Sequence, residues 1–293
     1  MSSFAEAIKS GKFLVTAELN PPKGTDLSDM MKKADHLRDY VDAFNLTDSA
    51  SAIMTMAPIA AAASLVNAGF EPILQVTSRD RNRIAVQGDL LANAALGVKT
   101  LVAMGGDPPG AGDHPDAKGV FDLDTLALLK AANAMNAGKD FMGNDLKGAT
   151  DYTVGAVCNP GADDLDKEIA RMADKVENGA TFFQTQAVYE PEVFVKFMDR
   201  AKQFDKPVIA GFIILKSGNM AKRLNETLPG VHVPEALIQE MDAAQDKSAQ
   251  SIEIAARVIK EIKPICRGVH LMAIGWENRI PPILEAAGIG KRS

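Results

Sequence analysis

The fold this sequence predicts is α/β, a (β/α)8 TIM barrel, and three observations predict it. Short β-branched apolar runs alternate with helical stretches through all 293 residues, and such a barrel takes about 250 residues. Each run is apolar nearly throughout, which is how a strand covered on both faces reads. Unusual polar residues also gather where each run ends, in unit after unit, as they must when the strand ends converge on one site. A doubly wound open sheet shares the alternation. However, no G-x-G-x-x-G follows the first run, where a dinucleotide-binding open sheet would carry it.

In chain order the strand candidates are 13–19, 43–47, 72–77, 98–104, 152–157, 180–186, 207–214 and 267–272. Helical stretches fill the intervals. One at 27–40 follows the possible caps Thr25 and Asp26, and an Ala-rich one at 58–67 ends before Gly69. Others at 84–96 and 123–136 end at Gly97 and before Gly138, and one at 165–178 follows Asp163 and Asp164 and stops at Gly179. A stretch at 192–204 follows Pro191. Asp, Asn, Thr or Pro at a helix start and Gly just past its end satisfy backbone groups that the helix leaves unpaired. Stretches at 235–242 and 248–262 predict an extra helix near the last unit, and 282–287 closes the series. The units account for 1–293 as a single barrel domain, with no regulatory domain expected after 289–293.

Composition narrows the function. Lys plus Arg number 32 against 38 Asp plus Glu, a formal charge of −6. That balance opposes a grip on nucleic acid or anionic lipid. Two cysteines, Cys158 and Cys266, cannot build a disulfide scaffold. With no apolar leader in 1–11, they read as reduced thiols of a cytoplasmic protein. The longest uncharged stretch, 49–70, is broken by Pro58 and Gly69 and sprinkled with Ser, Thr and Asn, so no membrane span is expected.

The strand ends carry the candidate chemistry. Glu18 is an acid inside an apolar run, so burial must either raise its pKa or give it a partner; it reads equally as a general acid or as a structural ion pair. Thr47, Asp48 and Ser49 leave the second run and read first as an Asx turn or cap. Gln75 interrupts the third run, followed by Arg79, Arg81 and Arg83, which suit a phosphate or carboxylate ligand or pair with nearby acids. Gly105 and Gly106 let backbone approach a flat or phosphorylated ligand, and Asp107 adds a carboxylate beside them. Cys158 has no neighbouring base. Gln184 and Gln186 share one strand face, and an amide both donates and accepts, as a heterocycle with an amide-like edge requires. His36, His114, His232 and His270 are scattered without metal-ligand spacing, so no metal site is expected. Carboxylates, amides, arginines and a glycine loop without an activated nucleophile suit an organic cofactor that brings its own reactivity.

Five stretches together resemble the methylenetetrahydrofolate reductase family. They are Val15-Thr16-Ala17-Glu18-Leu19-Asn20-Pro21-Pro22, Thr77-Ser78-Arg79-Asp80-Arg81-Asn82, Leu101-Val102-Ala103-Met104-Gly105-Gly106-Asp107-Pro108-Pro109, Lys175-Val176-Glu177-Asn178-Gly179-Ala180 leading to Thr185-Gln186, and Gly268-Val269-His270. The resemblance runs in order along nearly the whole chain. It implies a barrel binding FAD at the carboxyl ends of its strands and reducing methylenetetrahydrofolate to 5-methyltetrahydrofolate. By motif, Glu18 matches the general acid that opens the imidazolidine ring to an iminium ion, Asp107 the aspartate near flavin and pterin, and Gln186 a substrate-contacting glutamine. Thr47, Asp48, Gln75, Arg79, Gly105, Gly106, Asn159, Glu168, Arg171 and Lys175 fall among the implied cofactor positions.

Departures bear on the electron donor. Gly105 stands where a common pattern has Arg, Gln75 where it is often His, Leu224 where a Phe stacks on the pyridine nucleotide, and Met220 where a Gln contacts substrate. The implied donor is therefore NADH, NADPH or an electron-transfer partner protein. A flavin-free folate-binding transferase or lyase, a subunit working only within a complex, and a homo-oligomer stay open. Because the implied ligands are anionic, the basic residues of units three, five and seven are expected at the barrel mouth, with the excess acid elsewhere.

Overall fold

The computed structural model describes residues 3–292; Met1, Ser2 and Ser293, at the ends of the span expected for the barrel and its leaderless start, lie outside the described residues. Eight parallel strands close into a barrel in sequence order. They are β1 Leu14–Leu19, β2 Ala43–Leu46, β3 Pro72–Val76, β4 Thr100–Ala103, β5 Thr153–Cys158, β6 Phe182–Ala187, β7 Val208–Ile213 and β8 Gly268–Met272. All eight lie within the expected runs except β5 and β6, which extend one residue further. The barrel closes by pairing β1 with β8, Leu14 opposite Gly268 and Thr16 opposite His270. A Cβ on Gly268 would lie 2.4 Å from the Leu14 carbonyl oxygen, so this seam closes on bare backbone.

The helices are α1 Phe4–Lys9, at the amino-terminal end of the barrel, and, around it, α2 Ser28–Leu37, α3 Pro58–Asn67, α4 Arg83–Ala95, α5 Thr125–Asn136, α6 Leu165–Glu177, α7 Pro191–Ala201, α8 Gly218–Thr227, α9 Glu235–Ala243, α10 Lys247–Ile262 and α11 Ile280–Ala286. Of the expected caps, Asp164 caps α6, whereas α2 has Leu27 at its N-cap with no side-chain bond and Asp26 accepts the Ser28 amide at 2.8 Å. Asn82 accepts the Ile84 and Ala85 amides, Asp124 that of Ala127, and Asp164 that of Lys167. No helix is long and apolar enough to cross a membrane among the described residues.

Two helices go beyond the sequence pattern. α1 is one short turn and a half, held by a capping box between Ser3 and Glu6. It stops the amino-terminal end of the barrel: Phe4, Ala7 and Ile8 pack with the inward residues Leu14, Ala43, Ile73, Val102, Phe182 and Ile209. Phe4 meets Phe182 edge-on, ring centroids 5.9 Å apart. Gly155 makes the room, since a Cβ there would come within 2.4 Å of the Phe182 ring. α8 starts where Ser217 accepts the Met220 amide; its polar sequence, with few apolar residues, masks it, although Ser217 is a legible cap. The interval between β7 and β8 thus holds α8, α9 and α10.

Period-two alternation orders the barrel interior. Apolar side chains fill its lower part, leaving the upper inward positions of β1, β2, β3, β6 and β8 to Thr16, Glu18, Asn45, Gln75, Gln184 and His270. Register breaks between Gln184 and Ala187 on β6 against β7. There Thr185 Oγ1 accepts the Gly211 amide at 2.9 Å, ending regular pairing beside Gln186.

Candidate functional site

A cavity of about 720 Å³ lies over the carboxyl ends of the strands. Its floor is the upper polar layer. Glu18 is 17% exposed, and its Oε2 accepts from Gln75 Nε2 at 3.3 Å and lies 3.9 Å from His270 Nε2. The half-buried acid has therefore found an amide partner and an imidazole neighbour rather than a permanent counter-charge.

Of the positions singled out in the sequence, Glu18, Gln75, Gly105, Gly106, Asp107, Asn159, Glu168, Arg171, Lys175 and Gln186 all line this cavity. Closure of the barrel brings together segments from β1, β3, β6, the loop after β4 and α6. Gly106 has φ +80, and a Cβ would come 3.0 Å from Thr77 Cβ, so the loop after β4 packs against Thr77 only as bare backbone. Asp107 is exposed, and one oxygen accepts the Ser51 amide at 3.1 Å. Beside it, after the neighbouring strand β5, Glu168 is buried at the first turn of α6; its Oε1 accepts the Asn159 backbone amide at 2.9 Å. Arg171 Nη1 stands 3.7 Å from Glu168 Oε2 with its side chain 59% exposed, while Lys175 Nζ donates to the Val157 carbonyl at 2.8 Å.

Thr47, Asp48 and Arg79 are not in the lining, and their polar groups are engaged within the protein. Thr47 Oγ1 donates to Asn20 Oδ1 at 2.9 Å. Asp48 accepts the Thr77 amide and hydroxyl, at 3.0 and 3.1 Å, and contacts the Arg81 guanidinium. Arg79 donates to the Asp80 carboxylate and to the Ser49 carbonyl at 3.0 Å. These residues brace the loops behind the cavity wall.

The expected basic mouth does not form. Arg81 also pairs with Asp89, and Arg83 with Asp122, both at 2.9 Å. Lys216, from unit seven, donates to the Ile274 carbonyl. Among the described residues the cavity keeps only Arg171 and Lys175 as cations, facing Glu18, Asp107, Asp124, Glu168 and Asp174. Intervening acids satisfy the unit-three arginines locally, so the mouth is mixed, with its cations confined to α6.

Asp124 and Thr125, at the start of α5, join the lining unannounced by the sequence; as a helix cap, Asp124 carries no local sign of facing a cavity. Asn45 also escapes the sequence reading, though a buried amide inside an apolar run is a visible signal. Cys158 borders the cavity, but burial pushes its thiol well above the ordinary range, in keeping with a structural role. The cavity lining includes no Phe, Tyr or Trp side chain among the described residues. Leu224 is buried against the core rather than presented to the cavity.

Fold and site together define a parallel (β/α)8 barrel with a mixed-charge ligand cavity at the carboxyl ends of its strands. The chain belongs to the methylenetetrahydrofolate reductase family, whose model matches residues 3–288. It is 25% identical over 234 residues to methylenetetrahydrofolate reductase 2 of Schizosaccharomyces pombe, covering 74% of this chain and 35% of that protein. It is 24% identical over 243 residues to the probable methylenetetrahydrofolate reductase (NADPH) of Caenorhabditis elegans, covering 79% and 34%. The chain thus spans about a third of the length of these curated relatives. Among solved structures, a Clostridium thermocellum protein that binds two copies of 5-methyl-5,6,7,8-tetrahydrofolic acid superimposes with a TM-score of 0.64 at 15% identity, covering 98% of each chain. A 2,3-dimethylmalate lyase gives a TM-score of 0.57 at 12% identity, covering 99% of this chain and 88% of that one. Both likenesses are of fold.

Proposed function

We propose that this chain reduces 5,10-methylenetetrahydrofolate to 5-methyltetrahydrofolate with FAD bound at the barrel mouth. The observation that carries the reading is the meeting of Glu18, Asp107 and Gln186 in one cavity, in a chain that matches the reductase family over 3–288.

The residues present fit a flavin dinucleotide. Gly105 and Gly106 offer bare backbone to a flat ring, Gln75 and Asn159 stand nearby with polar groups, and Arg171 and Lys175 bring cations for a diphosphate. Glu168 holds the Asn159 backbone and faces Arg171, keeping that wall in shape. When bound, the flavin supplies hydride transfer.

The chain's own residues handle the proton and the charge. Glu18 Oε1 has no protein partner among the described residues and opens to the cavity, so it is the oxygen from which a proton passes to the departing ring nitrogen. Ring opening leaves a cationic iminium on the folate, and the fixed Asp107 carboxylate stabilises that charge. Gln186 donates to and accepts from the pterin edge.

The donor is NAD(P)H or a partner protein. The C. elegans relative is named for NADPH. Leu224, where the family pattern implies a Phe stacking on the pyridine nucleotide, is buried against the core, and this is the observation behind the partner reading. The test is optical: the protein should bind FAD, turn yellow, and bleach anaerobically when methyltetrahydrofolate runs the reaction backward. Failure to take up FAD would sink the reading. Anaerobic traces with NADH and NADPH then separate the donors: a flavin that stays oxidised with both, yet is reduced by the folate, identifies the partner route.

A further inference from the structure

Beneath the cavity, a chain of buried side chains runs from β2 to Glu18. Asn45 and Gln184 form a reciprocal amide pair: Asn45 Nδ2 donates to Gln184 Oε1 at 2.7 Å, and Gln184 Nε2 donates to Asn45 Oδ1 at 3.0 Å. Gln184 Nε2 also reaches Thr16 Oγ1 at 3.4 Å, and Thr16 Oγ1 lies 2.9 Å from His270 Nδ1. The Thr16 hydroxyl accepts from Gln184 and has one proton to give, and among the described residues the only acceptor it meets is His270 Nδ1. That direction makes Nδ1 an acceptor and leaves the ring proton on Nε2, the nitrogen facing Glu18 Oε2 at 3.9 Å. His270 is 4% exposed. Around it, β1 presents Thr16 and Glu18, β3 Gln75 and β6 Gln184, while β7 presents Gly211. Glu18 is the one charged group close to the ring among the described residues.

We propose that His270 is a positioning residue for Glu18: a neutral ring, fixed as its Nε2–H tautomer by the Asn45–Gln184–Thr16 chain, turns an N–H toward Glu18 Oε2. Gln75 donates to the same oxygen. Gln75 thus holds Oε2 directly while the His270 N–H faces it from 3.9 Å, too far for a hydrogen bond in this arrangement, and Oε1, open to the cavity, is left as the oxygen that carries and delivers the proton. A neutral donor orients the carboxyl group without forming a permanent ion pair with it. The tautomer follows from the hydrogen-bond chain alone; its catalytic consequence rests on the reductase reading.

The experiment is a long-range proton–nitrogen correlation spectrum of FAD-loaded protein labelled with 15N-histidine. Exposed His36, His114 and His232 are assigned by single changes to Gln, which leaves His270 identified even if a variant at 270 does not fold. Expected is an acceptor-type Nδ1 and a protonated Nε2, unmoved in Thr16→Ser and lost to a tautomer mixture in Thr16→Val. A protonated Nδ1 or an imidazolium overturns the inference. In anaerobic folate reduction, His270→Gln should lower kcat by at least about tenfold with KM and flavin binding little changed. An unchanged kcat beside an active parent also overturns it. A parent that binds FAD but never reduces the folate sinks the reductase reading instead, and the spectrum still decides the tautomer.

Discussion

The carboxylate of Asp107, just beyond β4, accepts the backbone N–H of Ser51 from the loop after β2, at 3.1 Å. Ser51 holds φ at +54, and Ser49 and Ala52 in the same loop are left-handed too. Such backbone costs about 1–2 kcal/mol per residue and persists only where its surroundings over-determine it. The contact links the loop carrying Asp107 to one that does not itself line the cavity, so one acid both fixes loop geometry and presents charge.

Those two roles separate by substitution. Asp107→Asn keeps an oxygen for the Ser51 amide but removes the charge, so folate turnover should fall about 10²-fold while flavin affinity holds. Asp107→Ala loses both and should also weaken flavin binding. Stopped-flow reoxidation by the folate, set beside flavin titration, makes the comparison. Equal turnover in the Asp107→Asn variant and its parent would remove the electrostatic role.

Glu18→Gln retains a hydrogen-bonding group between Gln75 and His270 but cannot release a proton at neutral pH. Flavin content should match the parent, and folate reduction should drop by about 10²–10⁴-fold. The check is a single-turnover assay with prereduced enzyme, which isolates the folate step from the donor.

Stability depends on the sealed lower end of the barrel. Gly155→Ala drives a methyl to within 2.4 Å of the Phe182 ring, which is itself held by Phe4. Overpacking there should cost about 1–3 kcal/mol, read as a lower denaturant midpoint with an unchanged slope.

Acid should loosen the wall between α4 and the segment leading into α5. The Arg83 side chain and amide hold the Asp122 carboxyl down at about 2 from an ordinary 3.8. A depressed carboxyl contributes stability that is present above its ordinary value and lost as pH falls toward its folded one. Hydrogen exchange near Arg83 should therefore accelerate between about pH 4 and pH 2, and Asp122→Asn should show the faster exchange already at neutral pH.

Much of this is legible along the chain. Strand identity depends on a local pattern, apolar runs bounded by caps and glycines, so all eight strands and most helices can be placed. α1 is too short to show a period, and α8 too polar. The cavity positions are visible as polar residues at strand ends, since an inward polar residue near a strand's carboxyl end has few other uses. The charge of the mouth is not visible, because nothing local separates an arginine aimed at a ligand from one already paired with Asp89 or Asp122.

The sequence by itself determined the order of the strands, the polar residues at their ends and the family to which the motifs point, because burial writes its period into neighbouring residues. Only the tertiary structure decided which of those polar groups meet. Thr16 touches His270 across 254 residues and Asn45 pairs with Gln184 across 139. Barrel closure, a long-range event, brings such partners to hydrogen-bonding distance, while the unit-three arginines are held by acids such as Asp80, Asp89 and Asp122.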